Sequence, residues 1–138
     1  MTIIAYRDGV LAADSMVTFG DTCYFGRSKV FKIRGHLIGA AGKSAECHKF
    51  IEWFRSKTLK KFVAPAEGFD GFIVKPNGDA FLYLTSGILP FEGEYYATGS
   101  GADFALGAFA AGADAITAVR AAIKHNVYCG GEIHSVML

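Results

Sequence analysis

Apolar residues in the first part of the chain fall in short runs separated by glycine-containing turns, the pattern of strands and hairpins. Thr2 to Arg7 (TIIAYR) is apolar and β-branched and predicts a strand; Asp8-Gly9 is a strong hairpin signal. Val10 to Ala13 returns as the partner, which places Asp14 at its end. Asp21 to Phe25 reads as a short edge strand or loop. Val30 to Ile33, the Arg34-Gly35 turn and His36 to Ala41 predict two further strands. These runs are apolar at nearly every position, so burial on both faces is expected.

Gly42 breaks the last run. Ser44 is placed to N-cap a helix, and Phe50, Ile51 and Phe54 repeat at helical spacing through to about Lys57. The cations Arg55, Lys57, Lys60 and Lys61 read as charges favoured by that helix's C-terminal dipole. Lys61 to Gly68 (KFVAPAEG) has the composition of a linker but is too short to separate domains. Phe72 to Lys75 and Ala80 to Leu84 flank Pro76-Asn77-Gly78-Asp79, a second clear hairpin. Glu94 to Ala97 predicts another strand. Ala102 to Gly112 and Asp114 to Asn126 predict helices, the second N-capped by Asp114 and carrying Ile116, Val119 and Ile123 on one face. Glu132 to Leu138 closes the chain as a strand. Helices segregate from antiparallel hairpins in this order, which predicts an α+β layered fold and not a parallel βαβ sheet.

Composition narrows the function classes. A chain of 138 residues predicts one domain, 1–138. At that length about two thirds of the unfolded chain's surface can be buried, enough for a core without staples. Apolar residues at 51% against 20% charged exclude a disordered chain. With 14 basic and 13 acidic residues there is no field of one sign to grip nucleic acid or a membrane surface, so neither is expected as a partner. Cys23, Cys47 and Cys129 are an odd number without CxxC spacing, which predicts free thiols in a reducing, cytoplasmic compartment. Cys47 and His48 are adjacent, a spacing that suits neither helix nor strand ligation, so no metal is expected. The opening MTIIAYRDGV lacks the basic and long apolar regions of a signal peptide, and Asp103 and Asp114 interrupt the Ala- and Gly-rich stretch from Gly99 to Val119. Cys23 and Cys47 are expected to be buried or half-buried, Trp53 to serve the core or a subunit contact, and His125 to meet its helix dipole.

Four features could carry chemistry. Thr2 follows Met1 directly, and a small second residue favours removal of the initiator methionine. A bared Thr2 would have an α-amine of ordinary pKa about 7.7–8.0, able to act near neutral pH as base for its own hydroxyl. Asp14, at the end of the second strand, is brought by the hairpin close to the start of the first. Lys29 precedes an apolar strand; by spacing alone it reads as a solvated end-of-strand charge. Gly99-Ser100-Gly101 follows a strand and opens a helix, but Phe104 stands where a phosphate-binding GxGxxG would need its third glycine.

Together these segments resemble a known family. Thr2-Ile3-Ile4-Ala5-Tyr6-Arg7, Ala12-Ala13-Asp14-Ser15 with Val17-Thr18-Phe19-Gly20, and Lys29-Val30 are similar to the start of proteasome β-type subunits and the bacterial peptidase HslV. Ala40-Ala41-Gly42, Gly99-Ser100-Gly101-Ala102, Ala111-Gly112-Ala113-Asp114-Ala115 and Cys129-Gly130-Gly131 continue the likeness to about residue 133. The resemblance implies an N-terminal nucleophile (Ntn) hydrolase fold, a four-layer αββα sandwich of two antiparallel sheets flanked by helices. It implies a threonine-type peptidase acting on peptides or unfolded proteins, in a homo-oligomeric ring that an ATPase unfoldase could feed, with no metal or organic cofactor.

Residue by residue, the resemblance makes Thr2 the nucleophile. Asp14 and Lys29 are the acidic and basic groups behind it, Gly42 supplies the oxyanion N–H, and Ser100 positions the α-amine. Thr18, Ala40 and Gly42 fall where extended substrate pairs as an added strand. Asn126 stands where many members carry aspartate, and is expected to accept a hydrogen bond through its carbonyl without supplying charge. Cys129 takes the Ser/Thr place of the amine network. Met16 replaces a frequent arginine, and the first hairpin is shortened. A second register puts Thr2 at the family's second threonine and Met1 in the nucleophile's place, giving an inactive ring or scaffold subunit. A small-molecule amidase of the same fold also fits these residues, as does a nucleotide binder built on Gly99 to Gly101. Lys29→Ala is expected to remove activity while leaving folding nearly intact.

Overall fold

The computed structural model describes residues 1–63 and 67–138. It is an α+β chain of eleven strands and three helices among the described residues, every strand pair antiparallel. Strands β1 (Ile4–Arg7) and β2 (Val10–Ala13) form the first hairpin. Its turn has positive φ at both Asp8 (51°) and Gly9 (77°), the primed geometry whose twist suits a two-residue loop. β3 (Val17–Phe19) pairs with β4 (Thr22–Tyr24) as a small separate ribbon. β5 (Val30–Ile33) and β6 (His36–Ala41) form a hairpin across Arg34-Gly35, again with positive φ at both positions (49° and 76°).

Helix α1 (Ser44–Arg55) follows, then β7 (Asp70–Val74), β8 (Ala80–Leu84), β9 (Gly87–Phe91) and β10 (Tyr95–Thr98). Helices α2 (Ala102–Ala110) and α3 (Ala115–His125) and the final strand β11 (His134–Met137) complete the chain. One sheet has the order β10-β1-β2-β11, the other β5-β6-β7-β8-β9.

Alternation along β1 explains why an unbroken apolar run was needed there. Successive side chains point to opposite faces. Ile3 and Ala5 join a core with Ala12 and the small inner faces of α2 and α3 (Ala105, Ala115, Ala118, Ala122). Ile4 and Tyr6 point the other way, into a core shared with Leu37, Phe72, Val74 and Leu82 of the five-stranded sheet. A third core lies beneath α1, where Phe50 and Ile51 cover Ile38, Ala40 and Ile73. A Cβ at Gly71 would stand 2.7 Å from the Phe50 ring, so the glycine is what lets α1 settle on the sheet.

Several sequence expectations are corrected. Ser44 does not cap α1: Lys43 holds the N-cap position in extended backbone, with no side-chain cap bond. Asp114 does cap α3, accepting from the Thr117 amide at 2.8 Å, and that bond holds its carboxyl below the ordinary range. Of the cation cluster only Arg55 lies in the last turn of α1. Cys23 is exposed on β4, not buried. Within Asp21 to Phe25 only Thr22–Tyr24 is a strand, with a partner in β3 that periodicity did not single out because it is so short. β9 lies in a stretch for which the sequence pattern predicts no element; its Pro90 is tolerated because β9 is the sheet's outer edge. Part of the Lys61 to Gly68 linker, residues 64–66, lies outside the described residues. None of the helices among the described residues is long and apolar enough to cross a membrane.

Candidate active site

The β1–β2 ladder continues one step past the strands, through Asp14 N–H donating to the Ile3 carbonyl at 3.3 Å. That step carries the Asp14 side chain under the start of β1. Asp14 is fully buried (0% exposed), and its carboxylate is held by three donors. Oδ1 accepts from the Lys29 Nζ at 2.7 Å and the Ile3 amide at 3.2 Å; Oδ2 accepts from the Gly130 amide at 3.0 Å. The Lys29 side chain is 7% exposed and so is not the solvated strand-end charge that spacing alone allowed. Its Nζ also donates to the Met1 carbonyl at 3.3 Å. A buried ion pair with this many supporting donors has its charges fixed in place.

Thr2 is buried (7% exposed) and is fastened from the other side by the turn between β10 and α2. Its amide donates to Ser100 Oγ at 3.2 Å, and its carbonyl accepts from the Gly101 amide at 3.2 Å and from Ser100 Oγ at 3.4 Å. Gly99, at φ +100°, runs so close beneath that a Cβ there would overlap the Thr2 carbonyl oxygen. Asn126, the C-cap of α3, steadies this turn. Its Nδ2 donates to the Ser100 carbonyl at 2.6 Å while its Oδ1 accepts from the Tyr128 amide at 2.8 Å. The carbonyl thus accepts a hydrogen bond, as expected, and the side chain also donates to the turn, which its residue type alone did not indicate. Cys129 Sγ lies 3.8 Å from Ser100 Oγ, and burial, reinforced by the Asp14 charge, pushes its thiol up.

Two clefts open on either side of Thr2, and Gly42 lines both. The first, about 280 Å³, runs toward α1 and is lined by Lys29, Phe31, Ala40, Cys47 and Ile51. Burial pushes the Cys47 thiol up to about 11, so it is a neutral wall group at physiological pH. The second, about 670 Å³, runs toward β10 and is lined by Asp70, Tyr96, Thr98 and Ser100. Met1 reaches into both. Gly42 has φ +138°, a conformation that favours glycine, and carries no side chain between the clefts.

The structure thus brings Thr2, Asp14, Lys29, Gly42, Ser100, Asn126 and Cys129 to one place, with Ala40 in the first cleft. Thr18 lies one residue beyond the cleft-lining Val17, with its Oγ1 buried and without a partner among the described residues. Sequence reasoning did not find the Gly130 amide on Asp14, or Asp70 and Tyr96. None of them has a local signal, since each reaches the site only through tertiary pairing.

The chain shares the fold of Thiobacillus denitrificans BPH. The structure of BPH in complex with epoxomicin superposes with a TM-score of 0.75 at 18% identity, over 99% of this chain and 97% of that one. A second structure of BPH matches with a TM-score of 0.75 at 17% identity, over 99% of this chain and 96% of that one. No protein-family profile and no curated relative matches the chain.

Proposed function

We propose that this chain is an N-terminal threonine hydrolase, a peptidase of the proteasome-like Ntn class, formed as one four-layer αββα domain. The observation that carries the reading is the seating of Thr2. Its nitrogen is held by Ser100, its flank is backed by the buried Asp14–Lys29 pair, and clefts open on both sides. The shared fold with BPH, which has been solved with the proteasome inhibitor epoxomicin, supports it.

In the intact chain Thr2 nitrogen is an amide and cannot serve as a base, and Met1 stands in both clefts. Hydrolysis of the Met1–Thr2 peptide bond, which removes Met1, converts that nitrogen to an amine. The hydroxyl oxygen attacks the substrate carbonyl carbon, and its proton passes to the α-amine. The negative charge on the carbonyl oxygen is met by the Gly42 N–H, a contact of the kind worth about 10²–10³ in rate. The Lys29 ammonium favours the ionised hydroxyl and keeps the α-amine neutral; Asp14 keeps Lys29 charged and oriented. Collapse breaks the C–N bond, and the leaving nitrogen takes the proton from the α-amine, leaving a Thr2 ester. Water, deprotonated by the same amine, cleaves the ester and restores the hydroxyl. Ser100 and Asn126 act by positioning the amine, and Cys129 borders that network. Extended substrate pairs along the Thr18 and Ala40 to Gly42 edges. Self-association into a ring, and an ATPase unfoldase that feeds it, complete the proposal.

Thr2-dependent cleavage of an unfolded protein such as casein tests this reading. The expected result is peptide release by the Met1-free protein and none by Thr2→Ala. Thr2-dependent cleavage of small amides with casein left intact points to an amidase instead. A purified chain that keeps Met1 and cleaves nothing points to a scaffold subunit, which the Met1 carbonyl's contact with Lys29 favours.

A further inference from the structure

Which cleft receives which half of the substrate follows from where the protons are. The leaving nitrogen must take its proton from the Thr2 amine. That nitrogen is hydrogen-bonded to Ser100, and Ser100 lines the β10 cleft and not the α1 cleft. Lys29 lines only the α1 cleft. The departing amine therefore exits on the β10 side, where the larger cleft stands.

That cleft has one half-buried charge. Asp70 begins β7 opposite Ala41, and its Oδ2 accepts from the buried Thr98 Oγ1 at 2.7 Å, which ties the two large sheets together at the end nearest Thr2. Tyr96 beside it is neutral, its hydroxyl pushed up to about 12 mainly by burial, with the Asp70 charge adding to the rise. Among the described residues no cation lies within ion-pair distance of Asp70. Lys43, the other charged side chain in this cleft, is exposed. Among the described residues one hydroxyl donates to this carboxylate, and a carboxylate with acceptor capacity to spare selects a donor that carries positive charge.

We propose that the β10 cleft binds the leaving-group half of the substrate and that Asp70 selects a lysine or arginine at the residue whose amine departs. The inference rests on the threonine-hydrolase reading and deepens it. Asp70 is a specificity residue in it, with Thr98 as its positioning residue.

The test is a set of internally quenched peptides identical except at the residue following the scissile bond, with Lys, Arg, Leu or Glu there, cleaved by Met1-free protein. The expected kcat/KM is about tenfold higher for Lys and Arg than for Leu, lower still for Glu, with the preference shrinking as salt rises. Asp70→Asn, which keeps an acceptor for Thr98, is expected to level Lys with Leu; its far-UV spectrum and melting temperature report whether it folds. Thr2-dependent cleavage with no preference across the wild-type set overturns the Asp70 assignment and leaves the hydrolase reading standing. Absence of any Thr2-dependent cleavage overturns both.

Discussion

Removing Lys29 should cost stability as well as activity, contrary to the expectation from sequence that folding would be almost untouched. The Asp14 carboxylate is fully buried, and Lys29 Nζ at 2.7 Å is its only counter-charge among the described residues. Breaking a buried pair by deleting one partner costs about 3–5 kcal/mol, because a charge is left without compensation. Here the Ile3 and Gly130 amides stay on the carboxylate, so Lys29→Met should fall near the lower end, about 3 kcal/mol. A chain of this size has roughly 7–20 kcal/mol in hand, so the variant still folds. Its urea midpoint should drop by about 1.5 M, for a slope of about 2 kcal/mol/M. Asp14→Asn should cost less, since the freed ammonium can turn into the adjoining cleft. In the double variant no orphan charge remains, so its loss should be smaller than the sum of the singles by at least about 1 kcal/mol. Urea unfolding of the four proteins measures this. Additivity within about 0.5 kcal/mol, or a Lys29→Met loss under about 1 kcal/mol, would show that the pair is not the buried, coupled unit described. Peptidase activity, read where all four proteins are folded, should be lost in every variant.

Gly99→Ala should prevent native folding or cost more than about 3 kcal/mol, since the added carbon overlaps the Thr2 carbonyl at a positive φ; a melting temperature near wild type would refute that packing. Asn126→Asp should weaken activity about tenfold, not restore it, because a carboxylate cannot donate to the Ser100 carbonyl and repels it; a faster Asp variant would sink the donor role. Alkylation at neutral pH followed by peptide mapping should label exposed Cys23 well before Cys47 and Cys129. The Cys47 thiol rises from 9.0 to about 11 on folding. Its neutral form is thus favoured in the native state, and stability should decline as pH climbs from 9 toward 11, where the unfolded chain ionises first. A Cys47→Ala variant with an unchanged alkaline stability profile would contradict this.

The hairpins were legible because turn chemistry is local. Asp8-Gly9, Arg34-Gly35 and Asn77-Gly78 each announce themselves without reference to the rest of the chain. Asp14 and Lys29 were legible by position, one at a strand's end and one at a strand's start, but nothing local says that they meet in a dry site. That depends on β2 and the loop before β5 converging beneath Thr2. The acceptor role of Asn126 is legible from its residue type, but its donor role on the Ser100 carbonyl is not. The Tyr128 amide takes its oxygen and leaves the nitrogen for Ser100. The Asp70–Thr98 pair of the β10 cleft had no trace in the sequence, since the two residues belong to different sheets and meet only across the core.

All of the proposed chemistry rests on Thr2, once bared, acting as the nucleophile. Intact-mass spectrometry of the purified protein before and after incubation with epoxomicin is the decisive experiment. The expected outcome is a chain lacking Met1 that gains one inhibitor mass on Thr2, and a Thr2→Ala variant that gains none. A protein that keeps Met1 and takes up no inhibitor, or an adduct that survives in Thr2→Ala, would overturn the assignment.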